Sequence, residues 1–328
     1  METRMPVRSV CLKIIGVEEM SGSLLNRILN EAGDFSRKTG CTVFPRYFSE
    51  ATGRADFVDI IEKQFSLGLT FDSFWFPTNG QGLANLPDVE WRRLADTGFS
   101  WLRLAFHGAG TEHDDFLEKP GAWDILVKTA EKAEKHGIDW FPVIFINRGN
   151  AHRYSEIRSA VERMGSPSLA AGWMVPNWQN NPEYDANRVS ISQISHLTEE
   201  RSLWRSEGAI IQMIDDDGVL ASSPVFDSNT GIRYLGCLPD GRVCYAGGCH
   251  GEPFTAFRES MVIGSWNDGD TIEDLLRAGD DPPEQVRALE KATFRELATS
   301  FGVPGGELVY RIQDLVVNKW GSMHLSSL

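Results

Sequence analysis

Through the first half of the chain, short runs of β-branched and aromatic residues alternate with longer segments whose apolar positions recur every three or four residues. The first run, Val10-Cys11-Leu12-Lys13-Ile14-Ile15, reads as a strand. Leu24, Leu25, Ile28, Leu29 and Ala32 follow at helical spacing, with Ser21 or Ser23 placed to cap that helix. The second strand is Thr42-Val43-Phe44-Pro45-Arg46-Tyr47-Phe48, although Pro45 weighs against an interior ladder. Phe57, Val58, Ile60, Ile61 and Phe65 mark its helix. The third strand, residues 73–76, ends in Pro77-Thr78-Asn79-Gly80, and a helix around residues 89–94 follows the start signal Pro87-Asp88. The fourth strand, residues 101–106, ends in His107-Gly108. A long helix over 121–136 stops at Gly137, where glycine commonly ends a helix. The fifth strand, residues 140–146, ends in Asn147-Arg148, a helix near 157–164 stops at Gly165, and the sixth strand, residues 171–175, ends in Pro176-Asn177.

These strand ends, at 15, 48, 76, 106, 146 and 175, fall 28 to 40 residues apart. Such spacing predicts six consecutive βα units: an α/β fold in which a partial (β/α)6 TIM-like barrel occupies residues 1–180. An open doubly wound sheet is the alternative. Beyond residue 180 the pattern changes. A helix is expected over 190–203 and another over 284–300, with strand and turn material over 210–243, so residues 181–328 read as a smaller C-terminal α+β module.

Composition narrows the function classes. The 328 residues are 41% hydrophobic and carry 32 basic against 46 acidic side chains, a net charge of −14, which argues against nucleic acid as a partner. No apolar run approaches the length of a membrane helix, and the polar first eight residues do not resemble a secretion signal. Five cysteines without a disulfide pattern point to a reducing, cytoplasmic setting.

In parallel barrels the working residues collect where strands end at their carboxyl edge. Those ends offer Glu18 and Glu19, Glu50, Thr78 and Asn79, His107, Asn147 with Arg148, and Asn177. Acid, amide and imidazole groups at one mouth suit a small polar molecule bearing an amine, a carboxylate or ribose hydroxyls. Each also has an ordinary reading: Asn79-Gly80 as turn chemistry, Glu50 as a charge at a helix start, His107 as a satisfied strand-end histidine. Cys237, Cys244 and Cys249 are spaced unlike any zinc pattern and read either as relics of an auxiliary cluster or as ordinary thiols. Trp173 and Trp178 flank the sixth strand's end.

Residues 41–177 resemble the radical SAM superfamily barrel. The resemblance rests on Phe48-Ser49-Glu50-Ala51 in place of the family's Gly-Gly-Glu-Pro and on Thr78-Asn79-Gly80. It also rests on His107-Gly108 with His113-Asp114 and Gly121-Ala122-Trp123, and on Asn147-Arg148-Gly149-Asn150. Beyond residue 230, Leu238-Pro239-Asp240-Gly241-Arg242-Val243 and Met261-Val262-Ile263-Gly264-Ser265 resemble the SPASM or twitch region of peptide-modifying members. The resemblance implies that Glu50 accepts the amine of S-adenosyl-L-methionine (SAM) or a similar ligand. By the same resemblance Thr78, Asn79, His107, Asn147 and Arg148 meet its other polar groups.

The departure is equally specific. The family holds a [4Fe–4S] cluster on a Cys-x3-Cys-x2-Cys loop after the first strand. The corresponding stretch here, Gly16-Val17-Glu18-Glu19-Met20-Ser21-Gly22, has no thiol, and Cys41 is followed by Pro45 and Phe48 in the other two slots. In a second register Gly16-Val17-Glu18 takes the place of the Gly-Gly-Glu turn, and the cysteine loop is lost upstream. A primary cluster is therefore not expected. Any chemistry is expected to be polar, with Glu18, Glu19 or His107 as acid or base, on a small-molecule or peptide substrate of a specialised biosynthetic pathway. The alternative is a non-catalytic partner or scaffold for an active enzyme.

Overall fold

A computed structural model describes residues 7–47, 50–70, 77–165, 167–168, 172–174, 186–194, 197, 204–206, 232–245, 262–280 and 309–311. The chain begins with β1 (Ser9–Ile14), α1 (Gly22–Thr39) and β2 (Thr42–Tyr47). Ser21 caps α1, its hydroxyl accepting the Leu24 N–H at 3.2 Å, and Gly40 ends it in the left-handed conformation at φ 71°. Leu24, Leu25, Ile28, Leu29 and Ala32 form the buried stripe of α1. Each leucine or isoleucine removed from water there contributes about 1.5–3 kcal/mol.

A 3-10 turn (Ala51–Gly53) leads to α2 (Phe57–Ser66), then β3 (Pro77–Thr78), α3 (Gln81–Ala84), α4 (Asp88–Thr97) and β4 (Trp101–Phe106). Next come α5 (Thr111–Phe116), α6 (Ala122–Lys135), β5 (Asp139–Phe145), α7 (Tyr154–Glu162) and β6 (Gly172–Met174). The remaining described elements are α8 (Ile191–Ile194), β7 (Trp204–Ser206), β8 (Ile232–Cys237), β9 (Arg242–Tyr245), β10 (Val262–Ser265), α9 (Ile272–Gly279) and β11 (Val309–Arg311). The expected helix over 284–300, the expected third strand over 73–76, Asn177, Trp178 and Cys249 lie outside the described residues.

The architecture is α/β, a partial barrel built largely of parallel strands. β3, β4, β5 and β6 form one parallel sheet in chain order. β1 and β2 pair in parallel in a second sheet, Ser9 opposite Thr42 through Ile14 opposite Tyr47. No ladder joins β2 to β3 among the described residues, so the barrel is not closed. The free side of β1 is taken by β8, parallel and in register from Ser9–Ile232 to Ile14–Cys237, and β9 and β10 continue the same sheet antiparallel. The strands after residue 230 thus extend the sheet that contains the first two strands. The Trp204–Ser206 and Val309–Arg311 strands pair with each other.

Pro45 and Pro142 sit where a missing N–H is tolerated. Pro45 lies in β2, at the edge of its sheet among the described residues. Pro142 pairs with Leu104 on one side of β5, and the ladder to β6 begins only at Val143. The two faces of the sheets differ in kind. Val10, Leu12, Ile14, Val43, Leu102, Leu104, Phe106 and Ile144 join the helices in one apolar core. Cys11 and Tyr234 form a separate cluster with Phe44 and Ile232 on the face turned away from the helices.

Candidate functional site

The carboxyl ends of β2 and β3 meet through Glu50. Its Oε1 accepts the hydroxyls of Thr52 and, at 2.7 Å, Thr78, while its Oε2 accepts the backbone N–H of Asn79 at 2.7 Å. The carboxylate therefore turns across to β3 rather than serving as a helix-start charge, and Glu50 makes no side-chain capping bond to the 3-10 turn that follows it. Thr78 is buried, and its hydroxyl also accepts the Gly80 N–H at 2.9 Å. Asn79 makes the turn expected of it, its Oδ1 accepting the Gln81 N–H at 3.0 Å. Backbone proximity locks this corner. A Cβ on Gly82 would lie 1.6 Å from the Thr52 carbonyl oxygen, so α3 packs directly on the chain that carries Glu50.

A second group forms at the ends of β4 and β5. The His107 ring stacks between Phe116, with centroids 4.3 Å apart, and Phe145, at 5.1 Å. The His107 N–H donates to His113 Nδ1 at 3.1 Å, which leaves the proton of neutral His113 on Nε2. Burial holds both rings uncharged. Desolvation, reinforced by the charge of His113, pushes His107 down to about 3. Desolvation pushes His113 down to about 4 against the opposing charge of Asp114. Asp114 ties the group to the start of α6 by accepting the N–H groups of Trp123 and Gly121, bonds that hold its carboxyl below the usual range.

Asn150, not Asn147, bridges the two strand ends. Its Nδ2 donates to the carbonyls of His107 at 2.8 Å and Phe145 at 2.9 Å. Asn147 is buried, with Oδ1 spent on the N–H groups of Gly149 and Asn150, and Arg148 is exposed with Nε donating to the Arg188 carbonyl at 3.2 Å. Neither is joined to the Glu50 group by a hydrogen bond among the described residues.

The connection between β1 and α1 is a closed turn. Glu19 N–H bonds to the Gly16 carbonyl at 3.0 Å and Met20 N–H to the Val17 carbonyl at 3.2 Å, with Val17 and Met20 buried and Glu18 and Glu19 exposed. Arg54 clamps it. One guanidinium nitrogen donates to the carbonyls of Val17, at 2.7 Å, and Met20, at 2.5 Å, while the other two grip the Asp56 carboxylate at 2.8 Å each. That fork is the main reason the Asp56 carboxyl sits below its usual range.

No family model and no curated protein matches this sequence. Among solved structures, the chain is similar to "Native anSMEcpe with bound AdoMet and Cp18Cys peptide" at a TM-score of 0.53 and 10% identity, over 97% of each chain. It is likewise similar to "Native anSMEcpe with bound AdoMet" at 0.53 and 11%, again over 97% of each chain. The fold is radical SAM-like.

The turn after β1 does not fit the cluster that a radical SAM barrel carries there. Cluster ligation takes thiolates or imidazoles, and residues 16–22 supply carboxylates, a thioether and a hydroxyl. Arg54 moreover holds the turn shut against α2. Elsewhere Cys237 and Cys244 do not converge. Cys244 pairs with Gly236 and Cys237 with Val243, so their side chains leave opposite faces of the hairpin. Both are buried free thiols, and burial pushes Cys237 up to about 12.

Thr52, Arg54, Gly82 and the pairing of His107 with His113 escaped sequence reasoning. Arg54-Ala55-Asp56, two opposite charges just before a helix, was the one available signal.

Proposed function

We propose that this radical SAM-like protein binds SAM or a similar amino acid-bearing ligand at the mouth above β2, β3 and β4, without a primary [4Fe–4S] cluster of its own. The observation that carries the reading is the Glu50 carboxylate, fixed across two strand ends by three donors. A carboxylate offers about four lone-pair sites, so Glu50 keeps room to accept an ammonium group while its internal bonds hold it in place. The similar anSMEcpe structures hold AdoMet, one of them with a peptide, which supports a ligand of this kind and a small-molecule or peptide substrate in a biosynthetic pathway.

SAM, when bound, supplies an activated sulfonium. The chain's own residues supply position. Thr52, Thr78 and the Asn79 N–H orient Glu50, and Asn150 fixes the β4 and β5 ends. His107 presents an uncharged ring at neutral pH. With its titration near 3 it is a poor base there, so it serves as a hydrogen-bonding and stacking group. Buried free thiols fit a reducing, cytoplasmic setting.

The second reading, a non-catalytic partner of an active enzyme, is favoured by the thiol-free turn after β1. Titrating the purified protein with SAM, beside an anaerobic assay for 5′-deoxyadenosine, tests the proposal. Saturable SAM binding without 5′-deoxyadenosine supports it. No binding favours the partner reading, and cleavage of SAM contradicts the loss of the cluster.

A further inference from the structure

Glu50 stands past Tyr47, the last ladder residue of β2, with its backbone at φ −74° and ψ 76°, outside strand geometry. Its place therefore depends on what holds it beyond the sheet. On one side are its own bonds to Thr52, Thr78 and the Asn79 N–H. On the other is the 3-10 turn that follows it. There the Gly53 N–H reaches the Glu50 carbonyl and the Arg54 N–H the Ala51 carbonyl, both at 3.2 Å. Arg54 fastens the end of that turn to the connection between β1 and α1, through the Val17 and Met20 carbonyls, and to the Asp56 carboxylate. That connection is braced in its turn. Val17 and Met20 belong to the main apolar core, and the Ile15 N–H bonds to the Cys237 carbonyl at 3.0 Å. Gly16, at φ 59°, lies so close to the β8–β9 hairpin that a Cβ on it would stand 2.8 Å from Pro239 Cγ.

The two sides respond differently to a ligand. An ammonium arriving at Glu50 shares the oxygens that now accept from Thr52, Thr78 and Asn79, whereas the Arg54 bonds go to other groups and are not shared. Five donors in one planar fork let arginine span two carbonyls and a carboxylate at once, which the single ammonium of lysine does not reproduce. We propose that Arg54 is a positioning residue for the ligand: acting through Glu50, it sets where that carboxylate stands relative to the end of β1. The thiol-free turn after β1 thereby takes part in the site as the anchor of its acid. This role of Arg54 rests on the reading of Glu50 as the ligand's acceptor.

The test is calorimetric titration of SAM into the full-length wild type, Arg54→Ala, Arg54→Lys and Val161→Ala, each at a temperature where it is folded. Val161 is a buried core residue of α7, and its truncation controls for destabilisation alone. Arg54→Ala is expected to weaken SAM binding about tenfold, as preorganisation of Glu50 is lost. Arg54→Lys keeps the charge and loses the fork; an intermediate loss is expected, and it covers the case in which Arg54→Ala does not fold. Val161→Ala is expected to bind as the wild type does. Hydrogen exchange gives a second readout without any substitution: SAM is expected to slow exchange at the amides of Glu19, Met20, Gly53 and Arg54 in the wild type, and less so in Arg54→Lys.

Unchanged SAM affinity in the Arg54 variants overturns the proposal and leaves Glu50 as the ligand's acceptor. So does an equal loss in Val161→Ala, the mark of general destabilisation. Protection by SAM that covers Asn79 and Gln81 but stops short of residues 19–20 overturns it as well. If the wild type does not bind SAM, the reading of Glu50 itself fails, and the positioning role of Arg54 falls with it.

Discussion

His107 and His113 enter the folded state as neutral rings and charge far more readily once the chain unfolds, which makes the protein sensitive to mild acid. Their ordinary value is 6.5, against about 3 for His107 and about 4 for His113 when folded. Between these limits the unfolded chain binds more protons than the native one, so stability is retained above about pH 6.5 and falls as the pH drops toward 4. Each pH unit below the ordinary value costs about 1.4 kcal/mol per ring, which at pH 5 comes to about 2 kcal/mol for each and about 4 kcal/mol for the pair. Asp56, Asp88, Asp114 and Asp274 all have carboxyls below their usual range and titrate in more acidic solution, so they leave this window to the histidines. The assay is urea unfolding at pH 7.5, 6.5, 5.5 and 5.0 for the wild type, His107→Phe and His113→Gln. Phenylalanine preserves the stack with Phe116 and Phe145. Each variant is expected to be less steeply pH-dependent than the wild type below pH 6.5, and the double variant nearly flat. Equal slopes in all four proteins would refute the reasoning.

Gly82→Ala places a methyl group against the Thr52 carbonyl and is expected to cost about 2–4 kcal/mol in chemical denaturation. Gly53→Ala, with nothing within 4 Å of the added carbon, is expected to change stability by about 0.5 kcal/mol or less. Arg54→Leu leaves the Val17 and Met20 carbonyls and the Asp56 carboxylate without their shared donor, at an expected cost of about 2–4 kcal/mol. Proteolysis of native Arg54→Leu is expected to cut first within residues 16–22, and an unchanged cleavage pattern would count against the clamp. Cys11, Cys41, Cys237 and Cys244 are expected to resist alkylation in the native protein and to react fully in urea, as read by intact mass.

What the residue pattern announced, and what it did not, divides along local and distant interactions. The α1 stripe, its Ser21 cap and the Gly137 turn after α6 follow from neighbours a few residues apart, and they were legible. The strand ends next to Glu50 and His107 were legible too, because a βα period places them without any tertiary contact, whereas Thr78, expected after a strand over 73–76, lies within a strand, Pro77–Thr78. The pairing of β8 with β1 was not, since it joins Ser9 to Ile232 across most of the chain and leaves no local mark. Within the site, the residue types were apparent but their partners were not. The Oδ1 of Asn147 accepts from its own turn, and the Nε of Arg148 donates to the Arg188 carbonyl. Nothing in the spacing of Thr52 or Arg54 shows that one orients Glu50 and the other closes the turn after β1.

The proposed ligand site turns on Glu50, and one titration tests it: SAM into the wild type and into Glu50→Gln, with melting temperatures of both proteins recorded alongside. Losing a charge-assisted bond to the ligand's ammonium is expected to weaken binding by about 1–3 kcal/mol. The amide oxygen still accepts from Thr78, but the NH2 in place of Oε2 faces the Asn79 N–H, so stability is expected to fall by about 1–3 kcal/mol in both the ligand-binding and the structural case. A loss of SAM affinity of about fivefold or more, in a variant that still unfolds cooperatively, is the predicted result. Unchanged affinity with a lowered melting temperature would show that Glu50 only holds β2 to β3, and would contradict a ligand site at this mouth.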